Sequence, residues 1–233
     1  MTDTSFVVLG VDGCRAGWLG VTWNGLTAEA RLYKTFAEVL AHPAKIIAVD
    51  MPIGLPQLNG RVAESEVRKV LGKRRSSVFS TPSQASYAAS TWEEACAMNL
   101  VHSHPPKKLS KQSFGLFPKI REIDALMTPL LQNRVHEVHP ELTFCLMNKG
   151  QPLQFSKKTR EGSKERAAVL EAQAFYLAKL VVPRLLRKDA AKDDIIDACA
   201  CAWSASRILH GKAVSYPNAE IRNIRDLMMR IEA

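Results

Sequence analysis

Residues Ser5 to Trp18 read SFVVLGVDGCRAGW, and this stretch constrains the fold most. Phe6, Val7, Val8, Leu9 and Val11 are apolar, and only Gly10 interrupts them. A continuous apolar run rich in β-branched residues predicts a strand buried on both faces. Asp12 then stands where a central strand ends, with Gly13 directly after it. An acid in that place needs a metal, a cation or a hydrogen-bond donor, because an unpaired buried charge is costly.

The remaining elements follow from local signals. Trp18–Trp23 alternates in character and predicts a second strand, with Asn24-Gly25 as a hairpin turn into a third over Ala28–Tyr33. Thr35 is placed to cap a short helix through Leu40, which His42-Pro43 ends. Lys45–Asp50 (KIIAVD) is again an apolar strand closing on an acid, and MPIGLP turns the chain sharply after it. Residues 57–130 differ in texture and read as an insertion of helices and loops. The helices are expected over Ala63–Leu71, Thr91–Asn99 and Pro118–Leu126, with a basic loop at Lys73-Arg74-Arg75-Ser76-Ser77 and an irregular segment over Val101–Phe114. Arg134–His139 returns to strand character, and Leu142–Met147 begins a short helix or irregular segment. A long helix is expected from Ser163 to about Val182, and another over Asp193–Leu209; the basic tail Pro217–Ala233 reads as a small helix at most. A hairpin meander followed by alternating strands and helices predicts an α/β fold, a mixed sheet with helices on both faces. The expectation is a single domain over residues 1–233.

At 233 residues the chain can bury one sizeable core, and no apolar run is long enough to span a bilayer. MTDTSF lacks the basic and apolar regions of a signal peptide, so a cytoplasmic location is expected. The five cysteines are odd in number and irregularly spaced, which predicts reduced core thiols rather than a zinc site or a disulfide framework. A net charge of +9 permits polyanionic partners such as nucleic acid without demanding them.

The placement of acids is the informative oddity. Asp12 and Asp50 each close an apolar strand, and open α/β sheets bind ligands beyond those ends. Asp193 reads as the cap of the last helix and Asp194 as a first-turn acid. Asp197 lies among small and apolar residues and shares a helix face with Asp194. Glu137, His139 and Glu141 alternate, which fits either a site-facing strand or a solvated edge equally. For His136 and His139, hydrogen bonding is favoured over metal ligation. Strand-end acids often merely start turns. Clustered together, Asp12, Asp50, Asp194 and Asp197, with Glu141 as a possible fifth, call for hard divalent cations with oxygen ligands. Such metals support phosphodiester hydrolysis. These motifs carry no balancing buried base.

These residues resemble the RNase H-like superfamily, in particular the RuvC-type resolvases and their YqgF-like relatives. More narrowly, GVDGCRAGW, VDMPIGLP, RRSSVFSTP, EVHPE and DDIIDACACAWSA are similar to a bacterial and archaeal family of predicted RNase H-like nucleases of unknown function (domain of unknown function 429). The resemblance implies an RNase H-like sheet with an insertion after the fourth strand. It implies that Asp12, Asp50, Asp194 and Asp197 hold Mg2+ or Mn2+. Glu141 has no secure equivalent in the superfamily. In the insertion, Lys73, Arg74, Arg75, Ser76 and Ser77, with Arg68 on the preceding helix, are candidates for phosphate contact. A solvated basic loop is the commoner fate of such a run. Ser110 and Gln112, near Phe114, form a further motif-like segment with no assigned role.

The expected function is a divalent-metal nuclease acting on DNA or RNA. An actin-like or sugar-kinase-like phosphotransferase is the second enzyme class, although 233 residues with one G-x-D-G is short for it. A non-catalytic nucleic-acid or protein binding module is the third.

Overall fold

Strand β1 (Val8–Cys14) carries the apolar run into the middle of a six-stranded mixed sheet. The computed structural model describes residues 7–183 and 189–233. Met1 to Phe6, including the start of the apolar run, lie outside the described residues. The other strands of this sheet are β2 (Gly17–Trp23), β3 (Ala28–Tyr33), β4 (Ile47–Val49), β5 (Val135–Glu137) and β6 (Leu180–Val181), in the order β5-β4-β1-β2-β3-β6. The β1–β2–β3 meander is antiparallel, whereas β4 joins β1, β5 joins β4 and β6 joins β3 in parallel. The expected meander is present, and strand three has the predicted limits. A second, two-stranded sheet pairs β7 (Ser215–Tyr216) with β8 (Ile231–Glu232).

Eight α-helices accompany these strands among the described residues: α1 (Phe36–Leu40), α2 (Val62–Leu71), α3 (Trp92–Val101), α4 (Lys111–Gly115), α5 (Phe117–Leu126), α6 (Pro140–Met147), α7 (Arg160–Ala172) and α8 (Lys192–Leu209). Thr35 and Thr91 cap α1 and α3, accepting from the backbone N–H of Glu38 and Glu94. None of the helices is long and apolar enough to cross a membrane. All five cysteines are free and buried.

Successive β1 side chains face opposite layers. Val8 and Cys14 join the core beneath α6, α7 and α8, while Leu9 and Val11 join the core beneath α1, α3 and α5. The insertion is therefore no appendage. Phe117, Ile120 and Ile123 of α5 are fully buried against the sheet. Glu122 accepts from Trp18 Nε1 at 3.0 Å and from the backbone N–H of Phe36, tying α5 to β2 and α1. With α1, the insertion helices α3 and α5 cover this face of the sheet. Helix α2 goes elsewhere, packing through Ala63, Val67 and Leu71 against Leu142, Cys145 and Ile231.

Three expectations are corrected. The long helix after Ser163 begins at Arg160 and stops at Ala172; Leu180–Val181 instead becomes edge strand β6, because the exposed side of β3 still offers backbone partners. The tail is not helical, since Ile231 and Glu232 pair with Tyr216 and Ser215. The irregular Val101–Phe114 stretch contains a short helix, α4, capped by Ser110.

Candidate functional site

The parallel register pairs Val11 with Val49, and the Asp50 N–H donates to the Val11 carbonyl at 3.0 Å. Asp12 and Asp50 thus follow one another across the β1–β4 seam. β1 runs two residues past Asp12, which pairs with Leu19, so this acid sits inside the strand rather than at its end. Its side chain lies on the α8 face with Val8 and Cys14, is only 9% exposed, and accepts from Gly13 N–H at 2.8 Å.

Helix α8 reaches the same place because Gly10 lets it. A Cβ on Gly10 would lie 2.0 Å from Ala202 N and 2.3 Å from Ala198 O. Small residues on the helix and a glycine on the strand bring the two backbones into contact. The first turns of α8 carry Asp194 and Asp197, and the charges of both act on Asp12. Ala191, not Asp193, precedes the first helical residue; the carboxylate of Asp194 accepts from Ala191 N–H at 2.7 Å. Asp193 pairs instead with Lys158 at 2.8 Å.

Burial, and then the charges of Asp50 and Asp197, hold the Asp12 carboxyl well above its ordinary range. Burial lifts Asp50 to about 6 against the pull of Lys157. Burial lifts Asp197 to about 6 as well, with Lys157 opposing and Asp50 adding to the rise. Asp194 is raised by burial, less the hydrogen bond from Ala191.

Lys157 is the counter-charge that the sequence did not reveal. It comes from the loop between α6 and α7, and its Nζ lies 2.5 Å from Asp197 Oδ2. Burial works against its charged form, but Asp197, Asp12 and Asp50 outweigh that and hold it protonated. Gly162 fixes this loop: a Cβ there would lie 1.9 Å from Ser156 O. A second lysine, Lys119 of α5, donates to Gly17 O, lies 4.6 Å from the centre of the Trp18 ring and packs its stem on Gly13. Burial lowers its pKa. Through it, the insertion reaches the rim of the acid cluster.

The donor set suits a hard cation. The acids of the cluster are carboxylates, hard oxygen donors, and burial, then Asp50 and Asp12, push the neighbouring Cys201 thiol well up. The Lys157 ammonium bonds Asp197 and feels the charges of Asp12 and Asp50. Among the described residues, no three His, Cys, Asp or Glu side chains are grouped closely enough to hold a metal ion in this arrangement. Asp194 is turned back onto Ala191, and Asp197 is taken by Lys157.

The other expected site residues go elsewhere. Glu137, His139 and Glu141 do not form one strand face, because β5 ends at Glu137 and Pro140 opens α6. Glu137 faces the opposite layer, bridged by Arg61 Nη1 and Nη2 at 2.7 and 2.5 Å, and accepts from Ile53 N–H at 2.7 Å. It braces the turn that follows Asp50. His139 accepts from Leu142 N–H at the start of α6. Glu141 lies 2.7 Å from Arg166 Nη2 and 3.6 Å from Arg74 Nε. This pairing makes it a partner of arginines beside the cluster.

The basic segment forms a 3-10 turn over Gly72–Ser77. Arg68 is not aimed at the cluster; it donates to Val78 O and Ser80 Oγ at 3.0 and 2.9 Å, holding the chain after that turn. Arg74 donates to Leu153 O at 2.9 Å, and Ser77 Oγ donates to Arg74 O at 2.9 Å. Lys73, Arg75 and Ser76 are exposed. The residues missed were Lys157, Lys119 and Arg166. The sole signal was the basic run Lys157-Lys158-Thr159-Arg160 ahead of a helix, which is common on protein surfaces.

A family model described as a protein of unknown function (DUF429) matches residues 10–222. The chain belongs to this family. The match begins within β1 at Gly10 and takes in the insertion and all of α8, so Asp12, Asp50, Asp194, Asp197 and Lys157 all lie within the matched region. No curated protein matches the chain, and no solved structure does.

Proposed function

We propose that this DUF429 protein is a divalent-metal-dependent phosphodiesterase acting on nucleic acid, built on an RNase H-like scaffold. The observation that carries this reading is the set of buried acids Asp12, Asp50 and Asp197, which act on one another and on the Lys157 ammonium that bonds Asp197, with Asp194 one helical turn away. These are the positions to which the RNase H-like resemblance assigns metal ligands. Acids in mutual repulsion lie costly and unused unless a cation joins them.

Asp12, Asp50 and Asp197 would hold Mg2+ or Mn2+, with Asp194 completing the set after release from Ala191. The bound cation would supply charge stabilisation at a phosphoryl oxygen and a water acidified for attack. Lys157 and Lys119 flank the carboxylates and would draw phosphate to them. The net charge of +9 favours association with a nucleic-acid backbone.

Crystals soaked in Mn2+ test the reading directly. Density between Asp12, Asp50 and the Asp194–Asp197 face is expected, together with Mn2+-dependent cleavage of labelled DNA or RNA that Asp12→Ala abolishes. A site that stays empty at high Mn2+, or cleavage that survives the substitution, sinks it.

A further inference from the structure

α7 and α8 begin at the two sides of one open cleft of ≈ 470 Å³, which lies beside the acid cluster but is a different space. Lys157, Lys158, Arg160, Lys164, Arg166 and Lys192 line it, and Asp193 is the acid in its wall. Three of these cations already have carboxylate partners: Lys157 with Asp197, Lys158 with Asp193 and Arg166 with Glu141. Among the described residues, Arg160, Lys164 and Lys192 are exposed and make no ion pair. The cleft therefore carries positive charge that no carboxylate among the described residues pairs.

Arg166 adds an independent observation. Its side chain is 2% exposed. Nη1 donates to Phe155 O and Gly162 O, both at 3.2 Å, and Nη2 to Glu141 at 2.7 Å. Among the described residues, Nε has no hydrogen-bond partner. A buried guanidinium N–H left unmet is unfavourable, and the arginine that carries it lines the cleft. The first turns of both helices also leave backbone N–H groups at the cleft mouth, with the positive ends of their dipoles. Converging helix starts, lysines and a buried arginine form the chemistry that receives phosphate.

We propose that this cleft is an anion subsite for a phosphate of a nucleic-acid strand, next to the phosphate that reaches the acid cluster. Lys157 is shared by the two places, because it lines the cleft and bonds Asp197. A volume of ≈ 470 Å³ accommodates a nucleotide unit. The assignment of the strand rests on the nuclease reading, whereas anion binding rests on the cleft alone.

The test uses the full chain carrying Asp12→Asn, in EDTA, so that neither cleavage nor metal intervenes. Binding of a short fluorescent single-stranded oligonucleotide is followed by anisotropy across a salt series. Adding Arg160→Gln and Lys164→Gln should weaken binding at least about tenfold and reduce the salt slope by about 2, roughly one per cation removed. Both side chains are exposed, so the thermal midpoint should stay put. Inorganic phosphate should compete for the parent protein and compete less well after the two substitutions. Unchanged affinity and slope overturn the subsite, as does equal competition by polyglutamate, which would mark the cleft as a general acid-binding surface. A wild-type protein that never cleaves nucleic acid would sink the nuclease reading and leave this binding result standing.

Discussion

Lys157 Nζ stands 2.5 Å from Asp197 Oδ2, and through that contact a lysine 40 residues away neutralises part of an otherwise acidic cluster. Removing the ammonium leaves buried carboxylates facing one another. Lys157→Met should destabilise the cation-free protein by about 1–2 kcal/mol, the cost of breaking a buried pair discounted for the partial exposure of the lysine. The same variant should gain more thermal stability from Mn2+ than wild type does, because the cation no longer competes with the lysine. Differential scanning calorimetry with and without Mn2+ checks both. An equal Mn2+ shift in the two proteins would mean that lysine and cation do not share the site.

The raised acids make a pH prediction with a definite sign. Asp50 and Asp197 titrate near 6 when folded, against 3.8 for the ordinary group. Between those values the folded chain holds protons that the unfolded chain has released. Cation-free stability should therefore fall as pH rises from about 4 to about 6. Asp12→Asn replaces a carboxyl whose charged form burial and the neighbouring acids disfavour, so at pH 7 it should be more stable than wild type without metal. It should also lose the Mn2+-induced shift. Chemical denaturation across pH measures this, and a destabilised Asp12→Asn would contradict the electrostatic account.

Gly10 is required by contact rather than by a turn. Gly10→Ala places a Cβ against the backbone of Ala198 and Ala202, where no side chain can yield. A loss of about 3 kcal/mol or more is expected, at the upper end for overpacking. Asp194 and Asp197 should be displaced with the helix, so Mn2+ stabilisation should shrink too. A fully stable Gly10→Ala protein would show that α8 does not press on β1 as described.

Glu232 ties the tail to the main sheet. Its Oε2 lies 2.5 Å from His136 Nδ1, and its Oε1 accepts from Ser215 Oγ at 3.2 Å. Burial pushes its carboxyl up, but the hydrogen bond with His136 and the charges of His136 and Arg230 prevail, and the group titrates below its usual value. Its contribution is thus present above about pH 4.5 and lost as pH falls through the folded value. Glu232→Gln should cost about 1–3 kcal/mol at pH 7 and flatten the acid limb of the stability profile. An unchanged acid limb would place that loss in another carboxylate.

Local chemistry was legible in the chain. The β1 run, the Asn24-Gly25 hairpin and the Thr35 and Thr91 caps each depend on residues a few positions apart, and each formed. The meeting of Asp12 with Asp50 required the further fact that β1 and β4 are parallel neighbours, and β1 runs two residues past Asp12. The residues after Ala172 were misread because their fate depends on the free edge of β3, far away in sequence, and the tail because it pairs with Ser215–Tyr216 and bridges to Val138.

The sequence by itself determined where the acids stand on their own elements: one in the first strand, one after the fourth and two at the start of the last long helix. Only the tertiary structure decided what faces them. Lys157 reaches Asp197 across 40 residues, Arg61 claims Glu137 across 76, and Arg166 claims Glu141 across 25. Hydrophobic periodicity sets which side of an element is buried, but carries no record of which distant charge is buried opposite it. That pairing is settled by the cost of leaving a buried charge alone, and the cost arises only once the layers have closed.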